Sequence, residues 1–385
     1  MGWFNCIIAF RSNLDDAASS RRCAITRACW TATLISVAAV RAHAAPCDTL
    51  RSVQLPNTTI VAVALVDSGT FVPPPPVRQP SAEFFTAFNT LPAFCRVEIV
   101  ARPSADSDIR IEVWLPVARW NGRYLGVGNG SFGGSISYSR LGEALRSGYA
   151  TSSTDTGHRG APTDAAWATG HPEKQADFDY RAIHETAQTS KALVRALYGA
   201  DPARSYFSSC SNGGRQGLME AERYPADYDG IMAGAPAPSW GFKTFVTGDL
   251  RRYQERGGKI IIWHGGADAP APSVRYYSNV RAQLGDSTLR SFLQLYLVPG
   301  MRHCGGGAEP NDIGQWLRPG DDPQHSLFQA LEHWVENGVP PAEVTATKFA
   351  VDGDPASGVV QIRSLYPYPR VAGKTQSIRP RQGIR

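Results

Sequence analysis

Ser211, Asp268 and His303 are the residues of this 385-residue chain whose types and order could carry out acyl transfer. Ser211 lies in Ser209-Cys210-Ser211-Asn212-Gly213, where a short apolar run ends and a helical pattern begins. A tight turn there lifts the hydroxyl clear of the sheet and aims the backbone N–H of Asn212 at a developing oxyanion. Small residues are needed two before and two after the serine, because strand and helix nearly touch. Gly213 meets this requirement, and Ser209 stands where glycine is usual. A serine nucleophile needs a base, and the base needs an orienting acid. Asp268 follows the apolar run 259–263, and His303 follows the run 292–298, each on a loop after a strand and in the order acid, then base. His325 and His333 also follow Asp268, but at or within the last helix. His264 precedes the acid and is assigned to shaping its loop.

Two competing chemistries are compatible with parts of the sequence. Cys210 could itself be the nucleophile, but an exported protein with a partner cysteine available argues against it. Gly128-Asn129-Gly130-Ser131-Phe132-Gly133 satisfies G-x-G-x-x-G, with Asp155 downstream, as in a dinucleotide site. That loop does not open the first βαβ unit, and a nucleotide role leaves the other three residues unused.

These side chains require alternating strands and helices to hold them. Residues 96–101 and 109–116 read as paired strands, 124–127, 149–153, 205–209, 228–233, 259–263 and 292–298 as further strands, and 142–147, 180–198, 215–223, 250–256, 274–284 and 326–337 as helices. Such alternation predicts an α/β fold, a mostly parallel sheet covered on both faces.

Residues 1–44 read as a signal peptide: Arg21, Arg22 and Arg27 precede an apolar stretch, and Ala42-His43-Ala44 offers a cleavage site near Ala44. Residues 45–385 then form a single catalytic domain, exported to the periplasm or secreted. The formal charge of +5 falls to about +2 once the leader's arginines and its two aspartates are removed. With no Lys/Arg run, this gives no case for nucleic acid, and no later segment reads as a membrane span. The mature region keeps four cysteines, Cys47, Cys95, Cys210 and Cys304, an even set that predicts two disulfides with three possible pairings. If Ser211 and His303 meet, their neighbours Cys210 and Cys304 come within bridging distance, leaving Cys47 for Cys95. No residues have metal-ligand spacing, and the chemistry calls for no metal and no cofactor.

Cys210-Ser211 with Gly213-Gly214-Arg215-Gln216, then Asp268, then His303-Cys304, resembles the tannase and feruloyl esterase family, which includes terephthalate monoester hydrolases. Further matches are Trp120-Asn121-Gly122-Arg123-Tyr124, Ser153-Thr154-Asp155-Thr156-Gly157-His158 and Gly234-Ala235-Pro236-Ala237. The resemblance covers about residues 47–372. It implies an α/β-hydrolase fold, a disulfide between the neighbours of serine and histidine, and hydrolysis of phenolic acid esters. It also places the second oxyanion donor near Gly130, with Ser131 where glycine is frequent. The sequence departs from the family where a calcium-binding lid should stand: only residues 238–249 fill that interval. Lid loss is expected to weaken aryl-ester binding, and the alternative reading is an inactive hydrolase-fold remnant. Tyr366 stands where many relatives carry a cysteine, and the basic tail, 372–385, is expected to be loose.

Overall fold

The computed structural model describes residues 46–74 and 87–378, which belong to one compact unit. The signal peptide, its cleavage site and the last residues of the tail lie outside the described residues. A nine-stranded sheet dominates. In chain order its strands are β1 (Thr58–Val66), β2 (Phe94–Ala101), β3 (Ile109–Pro116), β4 (Arg123–Val127), β5 (Ala150–Thr154), β6 (Arg204–Cys210), β7 (Gly230–Gly234), β8 (Lys259–Gly265) and β9 (Leu293–Val298). Their spatial order is β1-β2-β3-β5-β4-β6-β7-β8-β9. The first three strands and the β3–β5 pair are antiparallel; everything from β5 to β9 is parallel.

The parallel strands are largely buried because both faces are covered, and β7, β8 and β9 are mainly apolar. Phe207, Ile231, Ile260, Ile262 and Leu295 pack into one core, while Tyr206, Met232, Ile261, Trp263 and Tyr296 pack into the other. The covering helices are α1 (Tyr138–Arg146), α2 (Pro172–Ala176), α3 (Ala182–Tyr198), α4 (Asn212–Arg223), α5 (Arg251–Glu255), α6 (Ala271–Leu284), α7 (Asp286–Phe292) and α8 (Leu327–Asn337). Gly199 and Gly338 end α3 and α8 in the left-handed conformation that glycine adopts without steric cost.

The fold class and the parallel core match the sequence expectation. Differences lie at the edges. β1 was not anticipated, nor was α7. The helix read from residue 180 begins instead with a π-helical turn, Asp177–Arg181, that runs into α3. A second sheet of β10 (Val344–Val351), β11 (Asp354–Leu365) and β12 (Gln376–Ser377) follows α8. This corrects the reading of a loose tail from 372. Gly373 N–H donates to Ser364 O, Gln376 and Ser377 pair with Ile362 and Gln361, and Ile378 N–H donates to Val360 O. The tail is therefore strand-paired as far as Ile378.

Candidate active site

The turn between β6 and α4 presents Ser211. Its φ of 65° and ψ of −127° lie outside the comfortable range for a residue with a Cβ. The conformation is imposed from all sides. Ser211 N–H donates to Gly234 O at 2.9 Å, and Arg215 N–H donates back to Ser211 O at 3.1 Å. A Cβ on Gly213 would stand 1.9 Å from Ser209 Oγ, and one on Gly214 would stand 2.3 Å from Gly234 O. Strand and helix cross too closely for any side chain there. The N–H groups of Asn212, Gly213 and Gly214 open α4, so its positive end faces the serine.

The glycine loop after β4 lies against this turn. Asn129 and Gln216 bind reciprocally: Asn129 N–H donates to Gln216 Oε1 at 3.2 Å, and Gln216 Nε2 donates to Asn129 Oδ1 at 2.8 Å. Asn129 Nδ2 also donates to Thr154 O. A turn follows, with Gly133 N–H donating to Gly130 O and Ser131 at a φ of 49°. The N–H groups of Gly130 and Ser131 have no acceptor among the described residues. Two donors, not one, are therefore available on this loop beside that of Asn212.

Asp268 and His303 come from the loops after β8 and β9. Ala267 N–H donates to Met301 O and Gly266 N–H to Val298 O, which ties the two loops together. Gly265 makes the approach possible, since a Cβ there would meet Met301 O at 2.4 Å. His303 Nδ1 lies 2.5 Å from Asp268 Oδ2, leaving Nε2 free on a half-exposed ring. His264 supports the acid from behind. Its Nε2 lies 3.0 Å from Asp268 O and 3.2 Å from Asp268 Oδ2, and its Nδ1 lies 2.7 Å from Ser273 Oγ. Burial holds the His264 pKa below its usual value. A neutral His264 with its proton on Nε2 thus fits as a fixed donor to Asp268. His325 pairs with Asp322 on the surface, away from Asp268.

Cys210 and Cys304 form a disulfide with a Cα separation of 5.9 Å, and Cys47 bridges to Cys95. The first bridge joins the residues adjacent to Ser211 and His303. Ser211 Oγ makes no hydrogen bond among the described residues; the bridge, not a direct contact, relates the two loops in this state. A cavity of about 440 Å³ exists between β2, β3 and α1, and none of Ser211, Asp268 or His303 lines it. Among the described residues one group, His184, Glu220 and Asp227, clusters like metal ligands. Asp227 is engaged otherwise, taking His184 Nδ1 and Gln188 Nε2 at 2.6 Å each while Lys191 Nζ reaches its carbonyl; both carboxylate oxygens of Glu220 are buried without a hydrogen-bond partner among the described residues.

The family described as tannase and feruloyl esterase matches residues 95–248 and 245–377. The chain belongs to that family. An uncharacterized esterase of Xanthomonas campestris pv. campestris is 28% identical across 85% of this chain and 88% of its own length. That alignment runs over 518 positions, more than the whole of this chain, so many residues of the relative have no counterpart here. A probable feruloyl esterase B-1 of Aspergillus fumigatus is 24% identical over 79% of this chain and 88% of its own. Among solved structures, feruloyl esterase B from Aspergillus oryzae superposes with a TM-score of 0.73 at 22% identity, covering 84% of this chain and 96% of that one. Tannin acyl hydrolase from Aspergillus niger does so at 0.65 and 18%, covering 87% and 95%. These two likenesses establish the α/β-hydrolase fold.

Sequence reasoning missed what stiffens the site. Arg215, fully buried on α4, donates from Nε to Asn212 Oδ1 and from its two terminal nitrogens to the carbonyls of Asp179 and Phe178. Asp179 accepts the N–H groups of Phe242, Lys243 and Thr244. The pairing of Gly213-Gly214 with Arg215-Gln216 was visible as a motif; the partners lie far away in sequence.

Proposed function

We propose that this ester hydrolase of the tannase and feruloyl esterase family is a serine carboxylesterase acting on phenolic acid esters. The observation that carries the reading is the convergence of the Ser211 turn with the Asp268–His303 pair, joined through the bridge of their neighbouring cysteines. In this mechanism His303 Nε2 removes the Ser211 proton as Oγ attacks the ester carbonyl. Asp268 holds Nδ1 protonated and stabilises the imidazolium. The Asn212 N–H and that of Gly130 or Ser131 bind the oxyanion, whose charge develops in the transition state leading to the tetrahedral intermediate. His303 then gives its proton to the leaving alcohol. Water, activated by the same imidazole, releases the acid from the acyl-enzyme. No cofactor enters any step.

The interval from Ala235 to Leu250 is a loop with no inserted domain, and the family match breaks at 245–248 within it. Both support a catalytic domain whose cap is reduced to that loop, with an open acyl side. The two disulfides favour an oxidising compartment and support export. Among the described residues no helix is long and apolar enough to cross a membrane.

The test is turnover of p-nitrophenyl acetate by the wild type and by Ser211→Ala. We expect measurable hydrolysis that falls by at least about three orders of magnitude in the variant. Equal rates in both would overturn the serine mechanism, and an inert wild type would establish the hydrolase-fold remnant instead.

A further inference from the structure

The loop between β7 and α5 contributes Trp240 and Phe242 to a row of aromatic rings that reaches the oxyanion loop. Phe132 directly follows Gly130 and Ser131. Its ring centroid lies 4.8 Å from that of Trp240 and 5.9 Å from that of Phe242. Phe242 in turn packs on Phe178 at 5.5 Å and on Trp167 at 5.2 Å. Phe178 is fully buried, whereas Trp240 is 39% exposed. The row therefore runs from the core to solvent and ends in an indole with surface still uncovered.

This row is rigidly joined to the nucleophile. Buried Asp179 fixes the loop through the N–H groups of Phe242, Lys243 and Thr244 at 2.8–2.9 Å. Arg215 holds the carbonyls of Phe178 and Asp179 and, through Asn212 Oδ1, the first residue of α4. Asn212 and the Gly130–Ser131 pair are the donors assigned to the oxyanion. A carbonyl oxygen seated between them places the acyl group beside the loop that carries Phe132.

We infer that Trp240, seated on Phe132, is a specificity-determining residue: an open shelf for the planar, conjugated acyl group of a hydroxycinnamoyl or galloyl ester. The inference rests on Ser211 chemistry as proposed above. A flat ring can cover the exposed indole in an offset stack, while an acetyl group is too short to reach it. The shelf contacts one face only, so it supplies part of what a closing lid would bury. Its effect is selectivity between acyl groups rather than turnover as such.

The experiment compares kcat/KM for p-nitrophenyl esters of ferulic and acetic acid, taken as a ratio so that the amount of folded enzyme cancels. In Trp240→Ala we expect the feruloyl-to-acetyl ratio to fall about tenfold, about 1.4 kcal/mol. Trp240→Phe should retain most of the ratio. Phe245→Ala removes an exposed ring of the same loop that lies outside the row, and should leave the ratio as it is. A ratio within twofold of the wild type in Trp240→Ala, an equal fall in Phe245→Ala, or a wild type with no feruloyl preference would overturn the shelf. Failure of the serine mechanism reads out separately, as hydrolysis persisting in Ser211→Ala. Calorimetric titration of ferulate into Ser211→Ala, with and without Trp240→Ala, tests the shelf without turnover; equal affinity in both would also overturn it.

Discussion

The serine side of the site and the histidine side are built on different physical terms. Ser211 is surrounded by backbone: Gly213 and Gly214 leave no space for a Cβ, and the first ten residues of α4 are buried. His303 is half exposed on a glycine-rich loop, held by one disulfide, one carboxylate and hydrogen bonds between loops. Excluded volume specifies the first; links between particular atoms specify the second. Changes of volume should therefore damage the serine side, and changes of chemistry the histidine side.

Cutting the link should have the largest effect. Replacing both Cys210 and Cys304 with serine removes a bridge between residues 94 apart in sequence. We expect a loss of about 2–5 kcal/mol in denaturant unfolding, together with a lower kcat on short esters. Unaltered kcat would mean that the bridge stabilises the fold without aligning serine and histidine. On the serine side, Gly213→Ala should cost about 1–3 kcal/mol, because its Cβ collides with Ser209 Oγ and Cβ. Ser209→Gly in the same chain should recover most of that loss. No recovery would show that the collision with Ser209 is not what excludes the methyl group.

Asp155 tests the ground behind the glycine loop. Its Oδ1 accepts the N–H groups of Arg110 and Gly157, its Oδ2 is unpaired, and burial pushes its pKa from 3.8 to about 7. A carboxyl raised in this way favours the fold when protonated. Its contribution is complete below about pH 3.8 and is lost as pH rises through 7. Unfolding measured from pH 4 to 8 should show the wild type losing on the order of 1–3 kcal/mol relative to Asp155→Asn. Parallel curves would remove Asp155 from the account.

His264 offers a finer probe of the histidine side. His264→Leu removes a donor to the Asp268 carboxylate, which then attracts the His303 imidazolium more strongly. The acidic limb of kcat/KM should move to higher pH and kcat should fall about tenfold, near what loss of one hydrogen bond to a charged group contributes. His264→Gln should restore both in part. An unmoved limb would reduce His264 to packing. The smallest expected effect is none: chelator treatment should leave the melting temperature unchanged. A drop reversed by a divalent cation would point to His184, Glu220 and Asp227.

Much of this was legible in the sequence because β8 and β9 carry apolar runs and the candidate residues follow strand ends. His303 pairs with Asp268, and the Cys210–Cys304 bridge ties the Ser211 turn to the same loop, because strand order fixes where each loop opens. What escaped has weak local signals. β1 alternates exposed and partly buried residues, with Val61 and Leu65 facing outward, so its pattern is that of an edge strand rather than a core one. β11 is almost wholly solvent-accessible, and its hairpin turn at Asp352-Gly353 was the one readable sign. The tail pairs through backbone groups, which any sequence can supply. The family resemblance placed the second oxyanion donor near Gly130; that the Ser131 N–H is free as well is a matter of turn geometry, which the sequence does not display.

The reduced loop also has a place where it could be lengthened. Asp179 takes the N–H groups of residues 242–244, and Glu222 takes those of Thr247 and Gly248. Only Phe245 and Val246 lie between these two carboxylate clamps, at the point where the two segments of the family match overlap. A segment spliced between them leaves both clamps fastened. One spliced a few residues earlier strips N–H donors from a buried carboxylate, an expensive loss in a dry environment. The fold thus has a suture, two residues wide, at which a new cap could be grafted while the catalytic frame stays closed behind it.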